Sequence, residues 1–306
     1  MAEPLLRIGT RGSPLALAQA HEVRGLLAAA NLCAESRFAI VVIRTTGDMI
    51  QDRALSEAGG KGLFTKEIDA AMLDRQIDVA VHSSKDLPTI LPEGIAIAGY
   101  LPREDVRDAF ISAKADNIAD LPRGSILGTA SLRRQALVKR LRPDIEIGLL
   151  RGNVETRLRK AETGEVAATL LAYAGLKRLG LAHRATALLD IDAFPPAVGQ
   201  GAIGLTARAG DAATRRMLAP ILDADTGHAL AAERAFLAIL DGSCRTPIAG
   251  YARVGAGRVD LRGMVLRADG SEVFEIRAGG AIGDAQRLGA EAGRDLLGRI
   301  PAGVLA

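Results

Sequence analysis

Two stretches of this 306-residue chain hold residue types equipped for chemistry. The first, Val81-His-Ser-Ser-Lys-Asp-Leu-Pro88, ends an apolar run in polar and ionisable residues, which is where open α/β sheets place ligands. Asp86 there is a carboxylate beside the cation of Lys85, a pair suited to acid–base or electrostatic work. A plain turn aspartate ahead of a proline accounts for the same spacing. The second stretch, Leu240-Asp-Gly-Ser-Cys-Arg-Thr-Pro-Ile-Ala-Gly250, carries Cys244, one of two cysteines in the chain. A thiol exposed on such a loop is available for covalent bonding. Position alone favours the plainer reading, a small packed cysteine.

A third feature is charge. Between Arg123 and Lys160 stand ten Lys and Arg against three acidic residues, a local net of +7 in a chain of net +3. Such a block suits an anionic ligand, and a solvated helix face would also produce it. Where the arginines fall favours the ligand. They follow strand ends at Thr129-Ala-Ser131-Leu-Arg133-Arg134, at Arg151-Gly-Asn with Arg157 beyond, and at Lys177-Arg178.

Composition excludes several classes. Hydrophobic residues make up 48% and charged residues 25%, as in a soluble globular protein, and the length points to two or three domains. No apolar run reaches membrane-spanning length, and the N-terminus does not read as a secretory signal. Four histidines and no Cys-x-x-Cys leave no structural zinc signature, so no metal is expected. Two cysteines without such a signal fit a reducing cytoplasm. Aromatic residues at 3% and no Trp argue against a nucleic-acid stacking surface.

The elements that would position these residues alternate. Leu5 to Ile8 reads as a strand, then Ser13 as an N-cap with Pro14 at the first helical position. Free N–H groups at such a turn favour an anion, with Arg11 beside them. Strands follow at Phe38 to Ile43 and Ile77 to Val81, with a polar, glycine-rich loop at Gly47 to Gly62 between them, read as a mobile lid. Ile95 to Gly99 and Ala109 to Ser112 flank a crossing near Leu101. Strands at Ser125 to Gly128, Ile145 to Leu149 and Val166 to Ala172 alternate with helices, and Phe194-Pro-Pro196 marks a return. Gly199-Gln-Gly-Ala-Ile-Gly204 has the dinucleotide-binding glycine spacing, but prolines precede it where a strand is required. Helices at Asp211 to Leu222 and Asp225 to Leu240 lead to a small α+β segment with strands at Val259 to Val265 and Glu272 to Ala278.

Eight stretches together resemble the porphobilinogen deaminase (hydroxymethylbilane synthase) family. They are Arg7-Ile-Gly-Thr-Arg-Gly-Ser-Pro-Leu-Ala-Leu17, Gly60-Lys-Gly-Leu-Phe-Thr-Lys-Glu67, Val81 to Pro88, Gly128-Thr-Ala-Ser-Leu-Arg-Arg-Gln135, Leu150-Arg-Gly-Asn-Val-Glu-Thr-Arg-Leu158, Ala174-Gly-Leu-Lys-Arg-Leu179, Pro196-Ala-Val-Gly-Gln-Gly-Ala202 and Gly242-Ser-Cys-Arg-Thr-Pro-Ile248. They lie in family order and spacing. The chain departs from the family at Thr206, where many relatives carry Glu, and at Ser84, where Met is frequent.

The resemblance implies a cytoplasmic, monomeric transferase of α/β class. Its fold would be two doubly wound, periplasmic-binding-protein-like domains facing each other across a cleft, plus a small α+β C-terminal domain. The corresponding boundaries are 1–101 with 200–222, 102–199, and 223–306. The implied reaction joins four porphobilinogen molecules head to tail, releases ammonia at each step, and ends in hydrolysis to hydroxymethylbilane. The primer is a dipyrromethane cofactor, held by a thioether to Cys244. Asp86 matches the catalytic acid. Ser83, Lys85, Thr129, Ser131, Arg133, Arg134 and Arg151 match cofactor-binding positions. Arg11, Ser13, Gln19, Arg157, Arg178 and Gln200 match substrate-binding positions, and Lys61 and Phe64 lie in or beside the loop. Each added ring brings acetate and propionate, so forked guanidinium donors suit the task. Neither a nucleic acid nor a membrane is an expected partner.

Overall fold

The computed structural model describes residues 3–49, 62–240, 246–301 and 303–304. In chain order its strands are β1 (Leu6–Arg11), β2 (Phe38–Ile43), β3 (Val79–Ser83), β4 (Ile95–Tyr100), β5 (Asp108–Ile111), β6 (Ile126–Gly128), β7 (Glu146–Gly148), β8 (Ala168–Ala172), β9 (Ala187–Leu188), β10 (Ile203–Arg208), β11 (Ile248–Gly255), β12 (Arg258–Leu266) and β13 (Val273–Ala281). The helices are α1 (Pro14–Ala30), α2 (Thr46–Met49), α3 (Lys66–Leu73), α4 (Leu132–Leu141), α5 (Val154–Glu162), α6 (Tyr173–Arg178), α7 (Ala212–Leu218), α8 (Ala224–Ile239) and α9 (Ala285–Arg299). None of the described helices is long and apolar enough to cross a membrane.

The described residues form two compact units. The first holds 3–49, 62–104 and 202–227; the second holds the rest. In the first, strand order is β2-β1-β3-β10-β4, with β1, β2 and β3 parallel and β10 antiparallel to both neighbours. Period-two alternation sends Ile8, Val79, Val81, Ile203 and Leu205 to one face, against Ala20, Val23 and Leu27 of α1. The opposite face buries Ala80 and Ile95 against Ile68 and Met72 of α3. A sheet covered on both faces explains why its strands read as continuous apolar runs.

The second unit repeats that strand pattern. Its order is β7-β6-β8-β5-β9, with β6, β7 and β8 parallel and β5 antiparallel to β8 and β9. Phe110, Leu127 and Leu170 pack on Ala136 and Leu137 of α4, and Ala109, Ile111 and Leu171 face Leu158 of α5 and Leu176 of α6. The C-terminal strands form an antiparallel meander, β11-β12-β13. Met264 and Leu266 of that meander join the core shared by Phe110 and α4. The apolar face that the sequence sets apart as a third domain is thus continuous with the core of the second sheet.

Three strands escape the sequence reading: the two-residue β9, β10 and β11. β10 is built from Ile-Gly-Leu-Thr-Ala-Arg, too small and polar to announce a central strand, yet it is paired on both edges and buried. The glycine run before it turns through Gly199 (φ +74°) and Gly201 (φ +88°) and enters this strand, where a dinucleotide site would need a helix. β11 begins at Ile248, shortly after residues 241–245, which lie outside the described residues.

Candidate active site

In the first unit, the C-terminal ends of β1 and β3 meet the N-terminus of α1. Ser13 caps that helix, its Oγ accepting from the Ala16 N–H at 3.3 Å, with Pro14 in the first turn. Thr10 Oγ1 donates to the Ala16 carbonyl at 3.1 Å, fixing the turn from the strand side. An open pocket lies here, lined among others by Arg11, Ser13, Gln19, Phe64, Ser83 and Asp86. Gln19 and Ser83 hydrogen-bond each other, Nε2 to Oγ at 3.0 Å and Oγ to Oε1 at 3.2 Å. Arg11 places Nη1 4.0 Å from Asp86 Oδ2, and its guanidinium carbon sits 4.1 Å from the Phe64 ring centroid. Asp86 and Lys85 share the single 3-10 turn Ser84–Asp86 that follows β3. The pocket thus combines a carboxylate, a guanidinium, hydroxyls and a helix N-terminus, a set that binds an anion and stabilises a neighbouring positive charge.

Sequence reasoning passed over His82 and Thr206, which adjoin this pocket. His82 lines it yet is only 6% exposed, and its Nε2 pairs with Thr206 Oγ1 at 3.1 Å. Burial, and secondarily the Arg11 cation, push the imidazole down to about 4. A neutral ring therefore backs the pocket at neutral pH. The departure from the family pattern at Thr206 supplies the partner of His82. The other departure, Ser84, is buried with its hydroxyl unpaired.

In the second unit the parallel place is the N-terminus of α4. Thr129 Oγ1 accepts from the Ser131 N–H at 3.1 Å, and Ser131 caps the helix through the Arg134 N–H at 3.4 Å. Arg133 and Arg134, expected to grip ligand carboxylates, grip a carboxylate of the protein. Arg133 Nη2 donates to Asp108 Oδ2 at 2.7 Å, and Arg134 donates from Nη2 (2.6 Å) and Nε (3.1 Å) to Oδ1. Their remaining amino groups reach the carbonyls of Pro195 and Leu170. All three side chains are buried, and Arg133 Nε has no partner. Burial would raise the Asp108 carboxyl, but the two guanidinium groups outweigh it and hold the acid well below the usual carboxylate range. Gln200 adds a donor to Asp108 at 3.1 Å and one to the Val106 carbonyl at 2.8 Å. The signal available in the sequence was an aspartate opening an apolar strand, with two adjacent arginines further on.

The other expected binding residues are distributed. Arg151 lies half-buried between β7 and α5. Arg157 Nε donates to the Gly152 carbonyl at 2.9 Å, and Asn153 caps α5. Arg178 Nη2 donates to the Gly201 carbonyl at 3.1 Å. Glu233 of α8, fully buried, accepts from the N–H groups of Gly199 (2.8 Å) and Ala252 (2.7 Å), tying the glycine turn to β11. Lys61 and Cys244 lie outside the described residues, as does most of the loop expected to be a lid. No cluster of metal-ligand type occurs among the described residues.

Comparison with known proteins decides the family. A profile described as porphobilinogen deaminase, dipyromethane cofactor binding domain, matches residues 6–216, and one for the porphobilinogen deaminase C-terminal domain matches 228–298. Porphobilinogen deaminases of Nitrobacter winogradskyi and Nitrobacter hamburgensis are each 58% identical over 292 residues, 95% of this chain and 92% of theirs. The chain belongs to the porphobilinogen deaminase family. A periplasmic substrate-binding protein of an ABC transporter from Coxiella burnetii superposes with TM-score 0.46 at 13% identity, over 71% of this chain and 92% of that one. A dipyrromethane bears four carboxylates on two flat rings. The first unit offers a fitting environment in its open pocket, where Arg11, the α1 N-terminus and the Phe64 ring surround Asp86.

Two outcomes are expected. Arg134→Met leaves Asp108 buried with half its cationic support and should destabilise the protein by about 3–5 kcal/mol in urea unfolding. A loss under about 1 kcal/mol would mean that Arg134 does not support Asp108. For His82, the folded value of about 4 lies below the ordinary 6.5, so the unfolded chain takes up the proton first. Its contribution is complete above pH 6.5 and is lost as pH falls toward 4. Across that window His82→Asn should flatten the stability curve by about 3 kcal/mol relative to wild type; an unchanged slope would contradict a buried neutral imidazole.

Proposed function

We propose that this chain is a cytoplasmic, monomeric hydroxymethylbilane synthase. It condenses four porphobilinogen molecules head to tail, releases ammonia at each step, and hydrolyses the product free as hydroxymethylbilane. The observation that carries this reading is the pocket of the first unit, where an acid, Asp86, lies 4.0 Å from a guanidinium, Arg11, at a capped helix N-terminus.

The chemistry asked of the pocket follows from the substrate. The aminomethyl C–N bond breaks with its electron pair leaving on ammonia, and the pyrrole becomes a cation. Asp86 lies where a carboxylate offsets that charge and then takes the proton that the terminal ring loses once its carbon has bonded to the new methylene. Arg11, Ser13 and the free N–H groups at the start of α1 receive the acetate and propionate groups and fix the ring's orientation. Gln19, locked to Ser83, gives the α1 face of the pocket a defined polar edge. His82, neutral behind them, adds no second cation to compete with the one forming on the substrate.

A covalently held dipyrromethane supplies, when bound, the terminal ring to which each unit is joined. Its attachment point in this reading is Cys244. The other cysteine, Cys33, packs against the apolar core of the first unit, which supports assigning the thioether to Cys244. Ser83, Lys85, Thr129, Ser131 and Arg151 are the proposed carboxylate and ring contacts of the cofactor, with Arg157 and Arg178 toward the growing chain. Gln200, Arg133 and Arg134 act through Asp108, shaping the turn that presents Thr129 and Ser131. Lys61 and Phe64 complete the set beside the loop.

Intact-mass spectrometry of the purified protein, alongside an assay of ammonia release from porphobilinogen, tests this. The expected result is a mass above that of the sequence by a two-pyrrole adduct, missing in Cys244→Ser, in protein that consumes porphobilinogen. Active protein of unmodified mass would sink the anchor assignment.

A further inference from the structure

Gly47 lies in α2, directly after β2, and its N–H donates to the Leu63 carbonyl at 2.9 Å. Beside it, Thr46 donates from its N–H (3.1 Å) and from its hydroxyl to Glu67 Oε1. These bonds tie the segment leaving β2 to the segment entering α3. Phe64 rides on the second segment, and two neighbours fix the place of its ring. One is the Arg11 guanidinium, 4.1 Å from the ring centroid. The other is the bare backbone of Gly47. A Cβ there would stand 2.4 Å from Phe64 Cδ1, 2.5 Å from Cε1 and 2.8 Å from the Leu63 carbonyl oxygen, closer than real side chains approach. Gly47 is not among the glycines with positive φ, so backbone angle does not demand glycine here; space does.

We propose that Gly47 is a positioning residue for Arg11: by leaving room for the Phe64 ring, it lets that ring back the guanidinium and hold it beside Asp86, facing an anionic substrate group. The proposal rests on the functional reading above for what the anion is, and on the geometry alone for what Gly47 does. A planar cation lying on an aromatic face keeps its N–H edge outward, ready for a carboxylate fork. A side chain at position 47 crowds both the ring and the Leu63 carbonyl, so each must give way. The first unstacks Arg11, and the second disturbs the bond that joins the two segments. Displacements of this size in a positioning group reduce substrate capture well before they unfold a protein.

Two measurements test it. The first is phenylglyoxal labelling of Arg11, read by peptide mass spectrometry, in wild type, Gly47→Ala, Phe64→Leu and the double variant. Gly47→Ala should speed Arg11 labelling several-fold, and Phe64→Leu, which removes the ring without crowding, should do the same. The second is steady-state kinetics with porphobilinogen, where Gly47→Ala should raise KM on the order of tenfold with a smaller change in kcat. In the Phe64→Leu background, adding Gly47→Ala should change both readouts several-fold less than it does in wild type, because only the Leu63 carbonyl is then left to crowd. Unchanged labelling in Gly47→Ala, or an equal penalty with and without Phe64, would overturn the proposal. Labelling needs no substrate, so it decides the role of Gly47 even if the wild-type protein leaves porphobilinogen untouched, a result that would count against the functional reading alone.

Discussion

A carboxylate shut away from water must have a cation, and meeting that demand ties together the elements of the second unit. Asp108 has no exposed surface, and two guanidinium groups close on it. Through their other donors the same arginines hold the Pro195 and Leu170 carbonyls, so one buried charge fixes β5, α4, β8 and the approach to the glycine turn. The first unit has a milder version. Asp78, just ahead of β3, receives Arg7 Nη2 at 2.9 Å and Arg208 Nη2 at 3.0 Å, joining β1, β3 and β10. In each of the two five-stranded sheets an aspartate at or just before the start of a strand uses two arginines as structural bolts.

What this leaves for chemistry is clearest in the first unit. Arg11 is engaged by an aromatic face and stands 4.0 Å from Asp86. The scaffold beneath is stiff. Strand ends are set by sheet pairing, the helix N-terminus by its Ser13 cap, and the wall by the Gln19–Ser83 and His82–Thr206 pairs. The electrostatic burden falls on few groups, because the ring of His82 stays neutral and contributes shape without charge. The family's reaction generates a cation beside anionic substituents, and a pocket holding one carboxylate and one guanidinium answers both charges.

Much of this was legible in the sequence. Apolar runs bounded by turn residues located β2, β4 and β12 closely, and the Ser13-Pro14 pair located the start of α1. Eight short motifs in register gave the family. What the sequence could not convey was partnership across the fold. The ion pairs of Arg133 and Arg134 could not be read, because Asp108, some 25 residues earlier, gives no local sign of turning toward them. Thr206 looked idle because its partner, His82, is 124 positions away. β10 was missed because a strand flanked on both edges needs no large side chains to be held. Gly47 carried no signal of its own, since its significance lies in an absent atom that would collide with Phe64.

In the proposed reaction Asp86 performs the charge and proton work of turnover in a pocket the rest of the fold prepares. The most direct measurement is the rate of ammonia release from porphobilinogen by Asp86→Asn, a near-isosteric change that removes the negative charge, in protein whose intact mass shows the two-pyrrole adduct. A fall in kcat on the order of 10²–10⁴-fold is expected, with the adduct retained. A kcat within about threefold of wild type, less than about 1 kcal/mol of barrier, would contradict it.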